Sequence, residues 1–173
     1  MRVLVVNSQV PFASGGAEVH ADCLNRELIS RGYESEIVRI PFKWYPAANI
    51  KKHIQSCWNL DLTESCGRKI DAIICLKFPS YCIPHPNKIL WLCHQHRAAY
   101  DLWESGLTDL KKDDEGKAVK EFIEMADNIA FKQARQIFTN SKNTSKRLLK
   151  FNNVISKPLY PLSYISNSEI EKD

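Results

Sequence analysis

The chain has 173 residues, 44% of them hydrophobic, which suffices for one domain with a core of its own. It carries 24 basic and 20 acidic residues, a formal charge of +4 with the signs interleaved, which suits solubility and speaks against nucleic acid as a partner. The apolar start ends at Asn7, too short for a secretory core, and no apolar run nears the roughly 20 residues of a membrane span, so a cytoplasmic location is expected.

In chain order, Arg2 to Val6 reads as a short buried strand. Ala17 to Arg31 reads as a helix with Ala17, Ala21, Leu24 and Leu28 on one stripe, and Gly32 supplies its stop. Glu34 to Ile40 is the second strand, ended by Pro41. A weaker helical stretch lies between Pro46 and Cys66, with Ile50, Ile54, Trp58 and Leu62 spaced four apart. Asp71 to Leu76 is the third strand, and Lys88 to Leu92, after a segment rich in proline, is the fourth. The charged stretch from Leu110 to Gly116 reads as a solvated loop, and a long helix follows from about Lys117 to Ala134. Arg135 to Thr139 is the fifth strand, and Ser141 caps a last helix that runs through Phe151.

Residues 1–155 therefore read as one domain, and 156–173, without periodicity, as a linker or tail. Cys23, Cys75 and Cys93 fall in the expected core, and a domain of this size needs no staples, so free thiols are expected. Alternating strands and helices imply an α/β fold: an open, Rossmann-like parallel sheet with helices on both faces. The expected order places the first strand centrally, the second and third on one side and the fourth and fifth on the other. Strands one and four would then flank the crevice where such sheets bind ligands, at the carboxyl ends of the strands. Three segments would meet there: Asn7 to Gly16, Cys93 to Arg97 and Asn140 to Lys142.

Gly15 and Gly16, directly ahead of a helix, allow a ligand close to the backbone and leave the first helical amides free for an anion. They also fit a turn that merely needs positive φ. Their spacing matches neither the dinucleotide fingerprint nor a P-loop, so no nicotinamide or ATP cofactor is expected. Glu18, in the first turn, would compete with a bare phosphate. In "HQHR", His94 and His96 can polarise a hydroxyl, and Arg97 offers a fork for an acidic group or a partner for Asp101. Cys93, His94 and His96 do not have the usual zinc spacing, so no metal is assigned. Phe42, Trp44 and Tyr45 follow the second strand at the same edge and are candidates for an acceptor pocket. Lys43, Lys51 and Lys52, on the second helix and its approach, suggest either contact with an anionic membrane or an ordinary surface helix.

Together, "NSQVPFASGGAE", "VHADCLNRELISRGYE", "WLCHQHR" and "IFTNSKNTSKRL" resemble the amino-terminal, acceptor-side domain of a family-four retaining glycosyltransferase of the two-Rossmann-domain (GT-B) type, over Val3 to about Pro161. The resemblance implies transfer of a sugar with retention, without a metal ion, from a nucleotide sugar to a sugar or lipid-linked acceptor. It implies that Gly15 and Gly16 approach the donor diphosphate and that His94, or else His96, lies by the transferred sugar as the catalytic histidine. Ser141 matches a residue of the cleft, and His96, Arg97, Trp44 and Tyr45 are candidates for the acceptor. The donor-binding domain that such enzymes carry is not expected within these residues, so the chain by itself would be inactive. A non-catalytic binding or regulatory domain on the same scaffold is the rival.

Overall fold

A computed structural model of the protein describes residues 1–161. The elements are β1 (Arg2–Gln9), α1 (Gly16–Ser30), β2 (Glu34–Pro41), α2 (Ala48–Trp58), β3 (Glu64–Ser65), β4 (Arg68–Lys69), β5 (Ala72–Cys75), β6 (Lys88–Leu92), α3 (Asp101–Ser105), α4 (Asp114–Gln133), β7 (Gln136–Thr139), α5 (Lys142–Asn152) and β8 (Lys157–Pro158), with single 3-10 turns at Ser80–Cys82 and Arg97–Ala99. Six strands form one sheet in the order β2-β1-β5-β6-β7-β8, parallel at every pairing. This is a Rossmann-like parallel α/β fold.

The strand order corrects the expected one. The third long strand, β5, does not extend beyond β2; it lies on the other side of β1, between β1 and β6. Burial explains why. Ala72, Ile73 and Cys75 of β5 are buried, as a strand flanked on both edges and covered on both faces must be. β2 alternates exposed and part-buried residues, with Glu34, Glu36 and Arg39 in its run, and can serve only as an edge. The chain thus steps outward from β1 to β2 through α1, then back past β1 to β5 through α2. Right-handed crossovers taken in opposite directions place the two helices on opposite faces.

Alternation within β1 divides the core accordingly. Val5 packs with Ala21, Leu76 and Cys93 beneath α1, joined by Ala17, Leu24 and Leu28 of the expected stripe. Val6 faces the larger cluster with Ile50, Ile54 and Cys57 of α2, Val119, Ile123 and Ala126 of α4, and Leu148 of α5. The apolar face of α2 is therefore buried in the core, with Trp58 packed 5.6 Å from Phe122, and is not displayed for a membrane. Among the described residues, no helix is long and apolar enough to cross one.

Three further boundaries differ from expectation. α2 stops at Trp58, and the following residues make the β3–β4 hairpin, whose turn residues Cys66 and Gly67 both have positive φ, 52° and 72°. α4 begins at Asp114, inside the expected loop, because the Asp113 carboxylate accepts the Gly116 amide at 2.9 Å and caps the first turn. The start of the expected tail is structured: Lys157 and Pro158 pair with Phe138 and Thr139 as β8, and Trp91 Nε1 donates to the Leu159 carbonyl at 2.8 Å. The rest of that segment, 162–173, lies outside the described residues. All six cysteines are free thiols; Cys57 and Cys75, in dry surroundings, have pKa values pushed up to about 12.

Candidate functional site

With β5 inserted, the sheet reverses direction between β1 and β5, and the crevice lies there. Strands one and four are not neighbours. Their loops nevertheless leave the same edge, because every strand is parallel. Backbone bonds tie these exits together across the sheet: Leu76 donates to Val6, Cys93 to Leu76 and Asn140 to Leu92.

At the switch point stands a cluster that joins β1, α1 and the end of β5. Glu18, 7% exposed, accepts the Gly15 amide at 2.9 Å, Lys77 Nζ at 2.7 Å and Asn7 Nδ2 at 3.3 Å. Burial raises the Glu18 pKa, but the Lys77 ammonium and the backbone amides outweigh it and hold the carboxyl below its ordinary range. The carboxylate thus occupies the place an anion would take at the α1 N-terminus.

Neither Gly15 nor Gly16 has positive φ, so a turn of that kind does not require them. Gly15 is extended, and a Cβ there would touch Glu18 Oε2 at 3.6 Å; over Gly16 nothing of the chain lies within 4 Å. The space above Gly16 is open to a ligand.

Beside this cluster a cavity of about 430 Å3 opens at the carboxyl edge. It collects His94, His96, Arg97, Phe42 and Trp44 from the expected set, together with Lys77 and Asp109. Gly15, Gly16, Ser141 and Tyr45 do not line it. Ser141 is engaged as the cap of α5, its Oγ accepting the Thr144 amide at 3.2 Å, and Gly15 is linked to the cavity through Glu18 and Lys77.

The two histidines differ. His94 Nδ1 is 2.7 Å from the Gln95 carbonyl, which can only accept, so Nδ1 carries the proton and the neutral ring presents Nε2 as an acceptor. Desolvation, then the charges of Lys77, Arg147 and Arg97, keeps His94 below its ordinary pKa. His96 is wedged against Phe78, centroids 5.0 Å apart, and edge-on to Phe42 at 6.2 Å. Burial pushes its pKa down to about 4, and its Nε2 is buried without a hydrogen-bond partner. Arg97 is held by Asp101 through Nε at 2.9 Å and Nη2 at 2.6 Å, an i,i+4 pair that engages the fork.

Behind the cavity wall, Asp127 of α4 is fully buried and accepts the hydroxyls of Tyr81 and Tyr100, each at 2.8 Å. Asn152 donates to Tyr100 and accepts Gln95 Nε2 at 2.7 Å, so the loop bearing both histidines is braced from α4 and α5. Burial raises the Asp127 pKa to about 7.

Sequence reasoning passed over Lys77, Phe78 and Asp109. Lys77 had a signal, a charge directly at the end of the unbroken apolar run "AIICL". Asp109 had none; only packing of its loop brings it to the cavity. No group of three or more metal-binding side chains occurs among the described residues, and Cys93, 3.9 Å from His20 Nδ1, has its pKa pushed up to about 11 by burial. Comparison of the chain with protein-family models and with curated proteins finds no match.

Proposed function

We propose that the carboxyl edge is the acceptor-binding side of a retaining glycosyltransferase, and that His94 stands next to the sugar being transferred. The observation that carries this is a polar, aromatic-walled cavity at the switch point whose cations are already paired and whose wall carries a further carboxylate, Asp109. Its cations, Lys77 and Arg97, are already paired with Glu18 and Asp101, and its imidazoles are neutral. A free phosphate would compete with Glu18 or Asp101 for those cations and face the Asp109 carboxylate, whereas a sugar presents hydroxyls to His94 Nε2 and Asp109 and a carbon face to Trp44 and Phe42.

In the proposed reaction the acceptor hydroxyl attacks the anomeric carbon on the face from which the nucleoside diphosphate departs. The bond to the acceptor oxygen forms as the bond to the diphosphate oxygen breaks, and the hydroxyl proton leaves with the diphosphate. His94 Nε2 steadies a sugar hydroxyl, and the open backbone at Gly16 lets the donor approach. With Lys77 and Arg97 engaged, the reading assigns the positive groups that stabilise the departing diphosphate to a nucleotide-binding partner domain or subunit. Closure against that partner would orient the reactants and exclude water.

A non-catalytic binding domain is the second reading, favoured by the Glu18 carboxylate already seated on the helix N-terminus. Calorimetric titration with nucleotide sugars and with sugar and lipid-linked acceptors, repeated for Gly16→Trp and His94→Ala, tests the proposal. Acceptors are expected to bind, more weakly to His94→Ala, and nucleotide sugars weakly and not at all to Gly16→Trp. Tight binding of a nicotinamide dinucleotide in place of these ligands would overturn it.

A further inference from the structure

A second cavity, of about 350 Å3, shares the Trp44 and Asp109 wall with the first. Its other side is built by Tyr45, Lys111, Glu115 and the first turn of α4. Resting on the acceptor-side reading above, we propose that the two cavities are adjoining subsites for an oligosaccharide of two or more rings, with Trp44 at the junction and the distal ring in the second cavity.

The chemistry of the second cavity selects its occupant. Trp44 and Tyr45 stand edge to face, centroids 5.2 Å apart, and are 38% and 57% exposed, an apolar platform open to solvent. Around it lie the carboxylates of Asp109, Asp113 and Glu115, with Asp113 already accepting the Gly116 amide, and the single cation Lys111, so the wall is rich in acceptors and negative on balance. An anionic headgroup would meet three carboxylates against one ammonium and be repelled on balance. An alkyl chain would strip water from them and return no hydrogen bond. A cation finds its place on the aromatic pair taken, since Lys43 Nζ lies 4.7 Å from the Tyr45 centroid. A neutral ring with a carbon face and a rim of hydroxyls meets both demands.

The loop between the cavities is held in place, so the subsites are preformed. Thr108 Oγ1 donates to the Ala98 carbonyl at 2.8 Å, Leu110 is buried in the core, and Gly116 admits the Lys111 backbone so closely that a Cβ would meet its oxygen at 1.7 Å.

The test is a printed array of mono- to hexasaccharides, followed by calorimetry of each bound glycan and of its terminal monosaccharide on wild type, Tyr45→Ala and Glu115→Gln. Thermal melting verifies that both variants fold. The oligosaccharide is expected to bind at least about tenfold tighter than the monosaccharide, and both variants to lower the oligosaccharide affinity far more than the monosaccharide affinity. Equal affinities of the two ligands, or equal losses in the variants, would overturn the two-subsite proposal while the acceptor-side reading stands. Absence of any bound glycan on the array would overturn the two-subsite proposal too, and the titration with lipid-linked acceptors then decides the acceptor-side reading.

Discussion

Lys77 Nζ lies 2.7 Å from Glu18 Oε1, and this pair bridges the point where the sheet reverses direction, joining the exit of β5 to the first turn of α1. The two side chains are 18% and 9% exposed, so their attraction is little screened by solvent. Lys77→Met leaves the Glu18 carboxylate buried with amide donors only and is expected to cost about 2–3 kcal/mol, whereas Glu18→Gln, which keeps an acceptor for Gly15, costs less. Urea unfolding at neutral pH measures both.

The same carboxylate sets an acid limb. Its folded pKa lies below the ordinary 4.5, so its contribution is complete above 4.5 and is lost as pH falls through the folded value. In the difference between wild type and Glu18→Gln, the wild-type advantage should be constant above that pH and shrink below it, read by thermal unfolding across pH.

Asp127 acts with the opposite sign. Its folded pKa of about 7 lies above the ordinary 3.8, so the folded state binds the extra proton between those values, and stability from this group falls as pH rises through the window. Asp127→Asn should remove a slope of at most about 1.4 kcal/mol per pH unit there. Subtracting variant from wild type is essential, because His20 and His96, both pushed to about 4, add rising slopes in the same range. A difference profile that is flat from pH 4 to 7 would contradict the buried-carboxyl account.

His96→Phe replaces a ring that carries an unpartnered buried nitrogen by one that suits its aromatic neighbours. Stability at neutral pH should hold or rise by about 1 kcal/mol. Acceptor affinity should fall if the buried Nε2 meets a ligand hydroxyl, which calorimetry against the wild type decides.

Gly116→Ala and Gly16→Ala should separate sharply. The first forces the Lys111 backbone away and is expected to cost about 1–3 kcal/mol and to shift the loop between the cavities. The second adds a methyl where nothing lies within 4 Å and should leave the melting temperature unaltered. Differential scanning calorimetry reads both.

Much of the fold was legible because local rules govern it. Apolar runs and the Gly32 and Ser141 signals locate β1, α1, β6, β7 and α5 within a residue or a few, since burial and capping depend on neighbours in the chain. The order of strands was not read correctly, although the letters hold the clue: "ESEIVRIP" is too charged for an interior strand and "AIICL" too apolar for an edge. Of the candidate site, His94, His96, Arg97 and Trp44 were placed at one cavity, while Ser141 and the glycine pair stand outside it.

By itself the sequence determined that this chain alternates strand and helix around a core of its own and which short segments end at one edge of a parallel sheet. Only the tertiary structure decided that β5 separates β1 from β6, that Lys77 meets Glu18 and that Asp109 reaches the histidine loop. The reason is range: caps and apolar periodicity act within a few residues, whereas partners 59 residues apart are chosen by how whole elements bury their faces.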